Sequence, residues 1–136
     1  MSDKRAKKTG RKGTGGGHLR LPHIMMNHSD FRGLTGSETK TLLMLGAQYR
    51  GNNNGDLQAT HGLAKQWGIG SQQTLANALQ GLIRKRLIVR TREGVFLNPG
   101  RKCALYALAW QPIDPCNGKL DIAPTTTAPR SFSMEK

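Results

Sequence analysis

The segment between Gly68 and Ile83 constrains the fold of this chain more than any other part of its sequence. Gly68 can take the left-handed conformation that closes a helix, and Ser71 is a favoured residue at the start of the next helix. After Ser71, apolar residues recur at i, i+3, i+4, i+7 and i+8, namely Leu75, Ala78, Leu79, Leu82 and Ile83. The segment therefore predicts two helices joined by a tight turn, the second with one continuous apolar face.

A first helix is predicted upstream of this pair. Thr35 and Glu38 have the spacing of a capping box, in which each side chain bonds a backbone N–H of the first turn. Leucines and a tyrosine recur at helical spacing after it, and we expect this helix to run to about Tyr49. The run of glycine and asparagine at 51–55 ends it, and residues 56–59 are predicted to form one brief strand or an extended link.

The second helix is expected from about residue 60 to residue 67, and strands follow the third helix. The pattern becomes strand-like at 87–92, where three apolar residues precede Arg-Thr-Arg, and again in the apolar run at 103–110. The loop between these runs is longer than a tight hairpin turn and contains an Asn-Pro-Gly turn. The sequence thus predicts an α+β domain that is mainly helical, with a three-helix core and a small β-hairpin in a unit of two or three strands.

The charge balance favours a polyanionic partner. The chain has 21 Lys and Arg against 8 Asp and Glu, a net charge of +13. Residues 1–33 contribute +6, residues 34–110 contribute +7, and residues 111–136 are neutral. Nucleic acid fits best, because each neutralised phosphate releases condensed counterions, and an anionic membrane surface is the weaker alternative. We expect an intracellular protein, since the sequence has neither a spanning segment nor the apolar run of a signal peptide.

The two ends of the chain differ in composition from the middle. Residues 1–20 are predicted to form a flexible, disordered basic arm, because they are too polar to bury a core. The cations of this arm are Lys4, Arg5, Lys7, Lys8, Arg11 and Lys12. Two interpretations stay open: a solvated tail, or an arm that follows phosphates or enters a minor groove. The Pro- and Thr-rich residues 111–136 are expected to form an extended or disordered tail, with no function assigned.

The polar face of the third helix supplies the candidate binding residues. Any surface helix exposes polar residues, but acidic residues are absent from 71–92 while cations are frequent, and this excess favours a nucleic acid. Side-chain amides can pair bidentately with adenine. The residues predicted to read bases are Ser71, Gln72, Gln73, Thr74 and Asn77. Those predicted to contact the backbone or belong to the hairpin surface are Gln80, Arg84, Lys85, Arg90, Arg92, Arg101 and Lys102.

The order of helix, short strand, helix, turn, helix and hairpin resembles the winged helix-turn-helix superfamily over residues 34–110. The resemblance is most specific at residues 74–88, which read TLANALQGLIRKRLI and match a recognition helix that leads into a wing. The stretches LPH, SDFRGLT and LYALAW are similar to small winged-helix proteins of plasmids, phages and integrated elements. The resemblance implies a DNA-binding domain over 21–110 whose hairpin is the wing.

We expect a double-stranded DNA-binding protein in the bacterial cytoplasm, at the nucleoid or a plasmid. The leading interpretation is a sequence-specific transcription regulator of a mobile genetic element. The alternative is a replication-initiation or plasmid-partition accessory protein that binds origin-like DNA, and the sequence does not separate the two.

Other classes of function are not indicated by the sequence. An enzyme is not expected, because the acids of the central segment are few and do not form a catalytic pair. Cys103 and Cys116 lack the spacing of a zinc site, so neither a metal nor a cofactor is expected. Neither a membrane nor a small-molecule ligand is indicated, and the question of a homodimer stays open.

Overall fold

The structure, a computed structural model, describes residues 17–94 and 102–135. The helices are α1 (His23–Met26), α2 (Ser29–Arg32), α3 (Gly36–Gly46), α4 (His61–Gln66) and α5 (Gln72–Arg84). The strands are β1 (Leu57–Gln58), β2 (Ile88–Arg92) and β3 (Leu105–Leu108), and 3₁₀ turns lie at Cys116–Gly118 and Phe132–Met134. The predicted α+β class is confirmed, while the two short helices α1 and α2 have no counterpart among the predicted elements.

The three longer helices begin at side-chain caps, of which the sequence predicts those at Thr35 and Ser71. At the start of α3, the Thr35 hydroxyl accepts from the Glu38 N–H at 3.1 Å, and the Glu38 carboxylate accepts from the Thr35 N–H at 2.9 Å. Thr60 and Ser71 cap α4 and α5 in the same way, each through its side-chain hydroxyl. Gly68 has a φ of +84°, which is the left-handed conformation expected after α4. The turn between α4 and α5 is therefore built as predicted.

The end of α3 is a correction to the prediction. The helix stops at Gly46 rather than near Tyr49. Gln48 turns its amide toward β1 instead, where Nε2 donates to the Gln58 carbonyl and Oε1 accepts from the Gln58 N–H, both at 2.8 Å. The Gln48 side chain thus takes both backbone hydrogen bonds of Gln58 that a neighbouring strand would take. Holding Gln48 against β1 in this way favours the end of the helix before Tyr49.

The sheet has three antiparallel strands in the order β1-β3-β2. All four residues of the central strand β3 are buried. Tyr106 of β3 lies opposite Leu57 on one side and Arg90 on the other. Strand β1, which precedes α4, therefore pairs with β3 of the hairpin. Of the two predicted strand numbers, the sheet has three.

The apolar face of α5 packs against α3 as the periodicity predicts. The stripe residues Leu75, Ala78, Leu79 and Leu82 are buried, and Ile83 is partly buried. At Gly81 the two helices approach so closely that an added Cβ would overlap the Glu38 carboxylate. Because the stripe faces the core, the opposite face of α5 is directed to solvent.

Residues 111–135 correct the expectation of a disordered tail. They are irregular, as predicted, but Ile113 and Phe132 are buried and the Arg130 N–H donates to the Ala109 carbonyl at 3.0 Å. The segment thus packs against the domain. Its apolar residues are far apart in sequence and follow no helical or strand period, so the pattern does not indicate their burial.

Candidate nucleic-acid interface

The exposed face of α5 presents a row of carboxamides. Gln72, Gln73, Asn77 and Gln80 are all exposed. Nε2 of Gln73 donates to Oδ1 of Asn77 at 2.9 Å, which holds these two amides in line along the helix. The pair leaves an acceptor on Gln73 and the amino group of Asn77 free to face a ligand. The face can therefore offer both a donor and an acceptor from one helix edge.

The two hydroxyl residues at the start of α5 are used differently. The Ser71 hydroxyl accepts from the Thr74 N–H at 3.0 Å and donates to the Thr74 hydroxyl at 2.8 Å. These bonds satisfy the first turn of the helix, which has no intrahelical partner for its N–H groups. Among the five predicted base-reading residues, the structure thus separates three outward amides from two hydroxyls that are engaged in the cap.

Lys85 is placed differently from the predicted backbone contact. Its ammonium donates to the Glu38 carboxylate at 2.7 Å and to the Gly33 carbonyl at 3.1 Å. Burial would raise the pKa of Glu38, but the hydrogen bonds from Lys85 and from the Thr35 N–H hold it below its usual value. A buried carboxylate requires such a partner, so Lys85 has a structural role here. Arg84, one residue earlier, is exposed at the last turn of α5.

The two arginines of β2 also differ from each other. Arg92 folds back onto the hairpin and donates to the Cys103 carbonyl at 3.1 and 2.7 Å. The guanidinium of Arg90 lies over the Tyr106 ring, and its contacts to the Tyr106 hydroxyl and to Glu93 are long, at 3.4 Å each. Nε of Arg90 is buried and has no partner among the described residues. Because its side chain is still 31% exposed, Arg90 is the strand cation whose guanidinium can reach a ligand.

A groove runs between α5 and the hairpin. It consists of two cavities of about 570 and 270 Å³ that share Tyr106 in their walls. Gln72 and Lys102 line the larger cavity, and Gln80 and Arg90 line the smaller one. Polar and cationic side chains of the predicted site thus lie along both ends of one groove.

Two residues of this groove are not singled out by the sequence. Tyr106 supports Arg90 from the opposite strand, a relation that depends on strand register and has no signal in the sequence itself. His61 lines the larger cavity, and its Nε2 is buried without a hydrogen-bond partner among residues 17–94 and 102–135. In the sequence, His61 ends the stretch Asp-Leu-Gln-Ala-Thr-His, which indicates a short strand and the start of a helix but gives no sign of a cavity.

Some predictions lie outside the described residues. These are the arm cations Lys4, Arg5, Lys7, Lys8, Arg11 and Lys12 and the hairpin residue Arg101. Within the described residues, no group of three or more histidine, cysteine or acidic side chains is placed to hold a metal ion. In the same ranges, no helix has the length and apolar character needed to cross a membrane.

No protein-family model, curated protein or solved structure matches the chain. The function is therefore inferred from the geometry and chemistry of α5 and the hairpin.

Proposed function

We propose that this protein binds double-stranded DNA, with α5 lying in the major groove. The observation that carries the proposal is the outward row of carboxamides on α5, which follows the capped turn after α4. At 13 residues α5 is about 20 Å long, and a B-DNA major groove about 12 Å wide admits a helix of this kind. The α4–turn–α5 pair beside a three-stranded sheet supports a winged helix-turn-helix domain, in which the β2–β3 hairpin is the wing.

The cations with free donors suit binding to the sugar-phosphate backbone. Arg84 is exposed at the end of α5, Lys102 is exposed at the base of the hairpin, and the guanidinium of Arg90 is partly exposed at the groove. A phosphodiester strand lying between α5 and the hairpin would meet these cations while the amides reach the bases. Lys85 and Arg92 are already bonded within the protein, so the proposed phosphate contacts do not include them.

The biological role that we propose is sequence-specific regulation of transcription for a mobile genetic element. A replication-initiation or partition accessory protein stays the alternative, because it would use the same DNA-binding face. Residues 111–135 pack against the domain. If the protein is a replication or partition accessory, we therefore propose that it recruits other proteins through a folded surface and not through a free tail. We propose no catalytic role.

The double substitution Gln73→Ala and Asn77→Ala tests base reading by α5. A bidentate amide contact provides about 1–3 kcal/mol of discrimination, so removing this hydrogen-bonded amide pair should weaken specific binding roughly 5- to 150-fold. The target is first selected from random genomic fragments, and affinity is then measured by fluorescence anisotropy on the selected site and on unrelated DNA. Binding to unrelated DNA should stay unchanged.

The matched control is Asn27→Ala, which removes an exposed amide next to α1. It should bind both DNAs as the wild type does. An equal loss of affinity on selected and unrelated DNA would refute base reading by these amides. The selected sequence also bears on the role, since a palindrome at a promoter indicates a regulator and direct repeats near an origin indicate replication or partition.

Deleting residues 2–17 tests the basic arm. If the arm binds phosphates, the slope of log affinity against log salt should flatten by about 0.9 for each phosphate that the arm neutralises in the wild type. A second variant keeps the length of the arm but replaces its six cations with glutamine. Both variants should show the same flatter slope, whereas an unchanged slope in both would identify the arm as a solvated tail.

A further inference from the structure

The chain contains two Asn-Gly pairs, and the fold places them in opposite environments. Asn54-Gly55 lies between α3 and β1, and both residues are buried. Asn117-Gly118 belongs to the 3₁₀ turn at Cys116–Gly118, and both residues are exposed. An Asn-Gly pair is reactive because glycine has no Cβ, which leaves its backbone nitrogen unhindered and the chain around it free to rotate. The proposed DNA-binding face uses neither pair.

The backbone of the exposed pair is held in an unfavourable conformation. Cys116, Asn117 and Gly118 have φ values of +51°, +55° and +76°, so three consecutive residues are left-handed. This conformation carries a steric cost at the two residues that have a Cβ. The Gly118 N–H donates to the Pro115 carbonyl at 3.1 Å, a bond that lies within the same turn. Opening the turn relieves the two unfavourable residues and frees the Gly118 nitrogen, so the cost of opening is low.

The buried pair is protected by its hydrogen bonds. The Asn54 side-chain nitrogen donates to three backbone carbonyls at 2.9–3.1 Å, and its Oδ1 accepts from the Leu108 N–H at 2.7 Å. The side chain cannot turn toward the Gly55 nitrogen without losing these bonds in the core. Gly55 is also packed so closely that an added Cβ would lie 2.7 Å from Leu120. The same dipeptide is therefore open to reaction in one place and held fixed in the other.

We propose that Asn117 is a site of spontaneous deamidation in the folded protein and that Asn54 is not. The Gly118 nitrogen forms a bond to Cγ of Asn117, and the bond between Cγ and Nδ2 breaks. The proton of the Gly118 nitrogen passes through solvent to Nδ2, which leaves as ammonia. Water then opens the cyclic imide at one of its two carbonyls and gives aspartate or isoaspartate, so water is the co-reactant of the whole reaction.

The modification places a new charge where the turn meets the core. Sγ of Cys116 lies 3.7 Å from the Asn54 carbonyl, and the Lys119 ammonium bonds the Asp56 carboxylate at 2.9 Å. A carboxylate at position 117 competes with Asp56 for Lys119, and isoaspartate also lengthens the backbone by a methylene group. The modified turn is therefore held less firmly to the core, and we expect the aged protein to unfold at a lower urea concentration.

Peptide mapping by mass spectrometry, on the full chain kept folded in neutral buffer for several weeks, tests the reactive site. Trypsin places the two Asn-Gly pairs on separate peptides, 51–65 and 103–119. We expect Asn117 to convert at least about tenfold faster than Asn54, because the buried pair reacts only after its core hydrogen bonds break. In concentrated urea, where neither turn is folded, the two rates should become similar. Asn27, which is exposed but precedes a histidine, is the control for exposure alone.

Asn117→Gly is the matched variant, because glycine accepts the left-handed conformation and carries no side-chain amide. The urea midpoint should fall with ageing in the wild type and stay constant in this variant. A native Asn117 rate no higher than that of Asn54 or of Asn27 would overturn the reactive site. A midpoint that ages equally in both proteins would overturn its effect on the turn. DNA is absent from these measurements, so their results are independent of the proposed function.

Discussion

Replacing Arg130 with methionine is expected to lower the free energy of unfolding by about 1.5–3 kcal/mol. The side chain of Arg130 is 3% exposed, and it donates to Asp30 at 2.9 Å and to Glu135 at 2.7 and 2.8 Å. It also donates to the Lys85 carbonyl at 2.8 Å, just beyond the last turn of α5. The substitution leaves a helix-end carbonyl and two carboxylates without their donor, and its cost is limited because water can reach carboxylates that are a quarter to a third exposed.

Urea denaturation of the full chain measures this loss. Lys119→Met is the matched control, because it removes a cation that pairs with Asp56 at 2.9 Å while half exposed, and it should cost less than about 1 kcal/mol. Equal losses in the two variants would show that Arg130 contributes no more than a surface ion pair.

The pH dependence of stability gives a second measurement on the same variant. The hydrogen bonds from Arg130 lower the pKa of Glu135 from its usual 4.5 to about 2. Because the folded state binds the carboxylate proton more weakly than the unfolded state, this stabilisation is present above pH 4.5 and is lost as the pH falls toward 2. The wild type should therefore lose stability across this interval, and Arg130→Met should lose less.

Replacing Asn54 with alanine is expected to cost about 3–5 kcal/mol of stability. Asn54 is fully buried, and its amide donates to the carbonyls of Leu108, Gln111 and Pro112 at 2.9–3.1 Å. Its Oδ1 accepts from the Leu108 N–H at 2.7 Å. Alanine would leave a buried N–H and several carbonyls unpaired, and each such group costs about 1–3 kcal/mol.

Asn52→Ala is the control for this substitution. Asn52 lies in the same run of asparagines but is exposed, so its replacement should change stability by no more than about 0.5 kcal/mol. Thermal and urea unfolding of both variants measure the difference. Similar stabilities for the two variants would contradict the assignment of Asn54 as the residue that joins this turn to the end of β3.

Both substitutions act far from the amide face, yet both concern how α5 and the hairpin are held. Asn54 bonds the end of β3, the central strand behind the hairpin, while Arg130 bonds the end of α5. The segment beyond residue 110 therefore contributes to the framework that positions the candidate interface.

Part of the candidate site can be predicted because its signals are local. The caps at Thr35 and Ser71, the left-handed Gly68 and the apolar period of α5 each depend on residues within a few positions of one another. The outward direction of Gln73 and Asn77 follows from the same period. The strand pattern predicts the hairpin, although its strands are shorter than the apolar runs that contain them.

By itself, the sequence determined the helix pair, the amide face, the basic charge and the α+β class, because helical period, capping and charge are written within short stretches of chain. Only the tertiary structure decided which cations are free, since Lys85 bonds Glu38 from 47 residues away and Arg92 bonds Cys103 across the hairpin. The same holds for Arg130, whose partner Asp30 is 100 residues distant. Partners brought together by folding leave no periodic trace in the sequence.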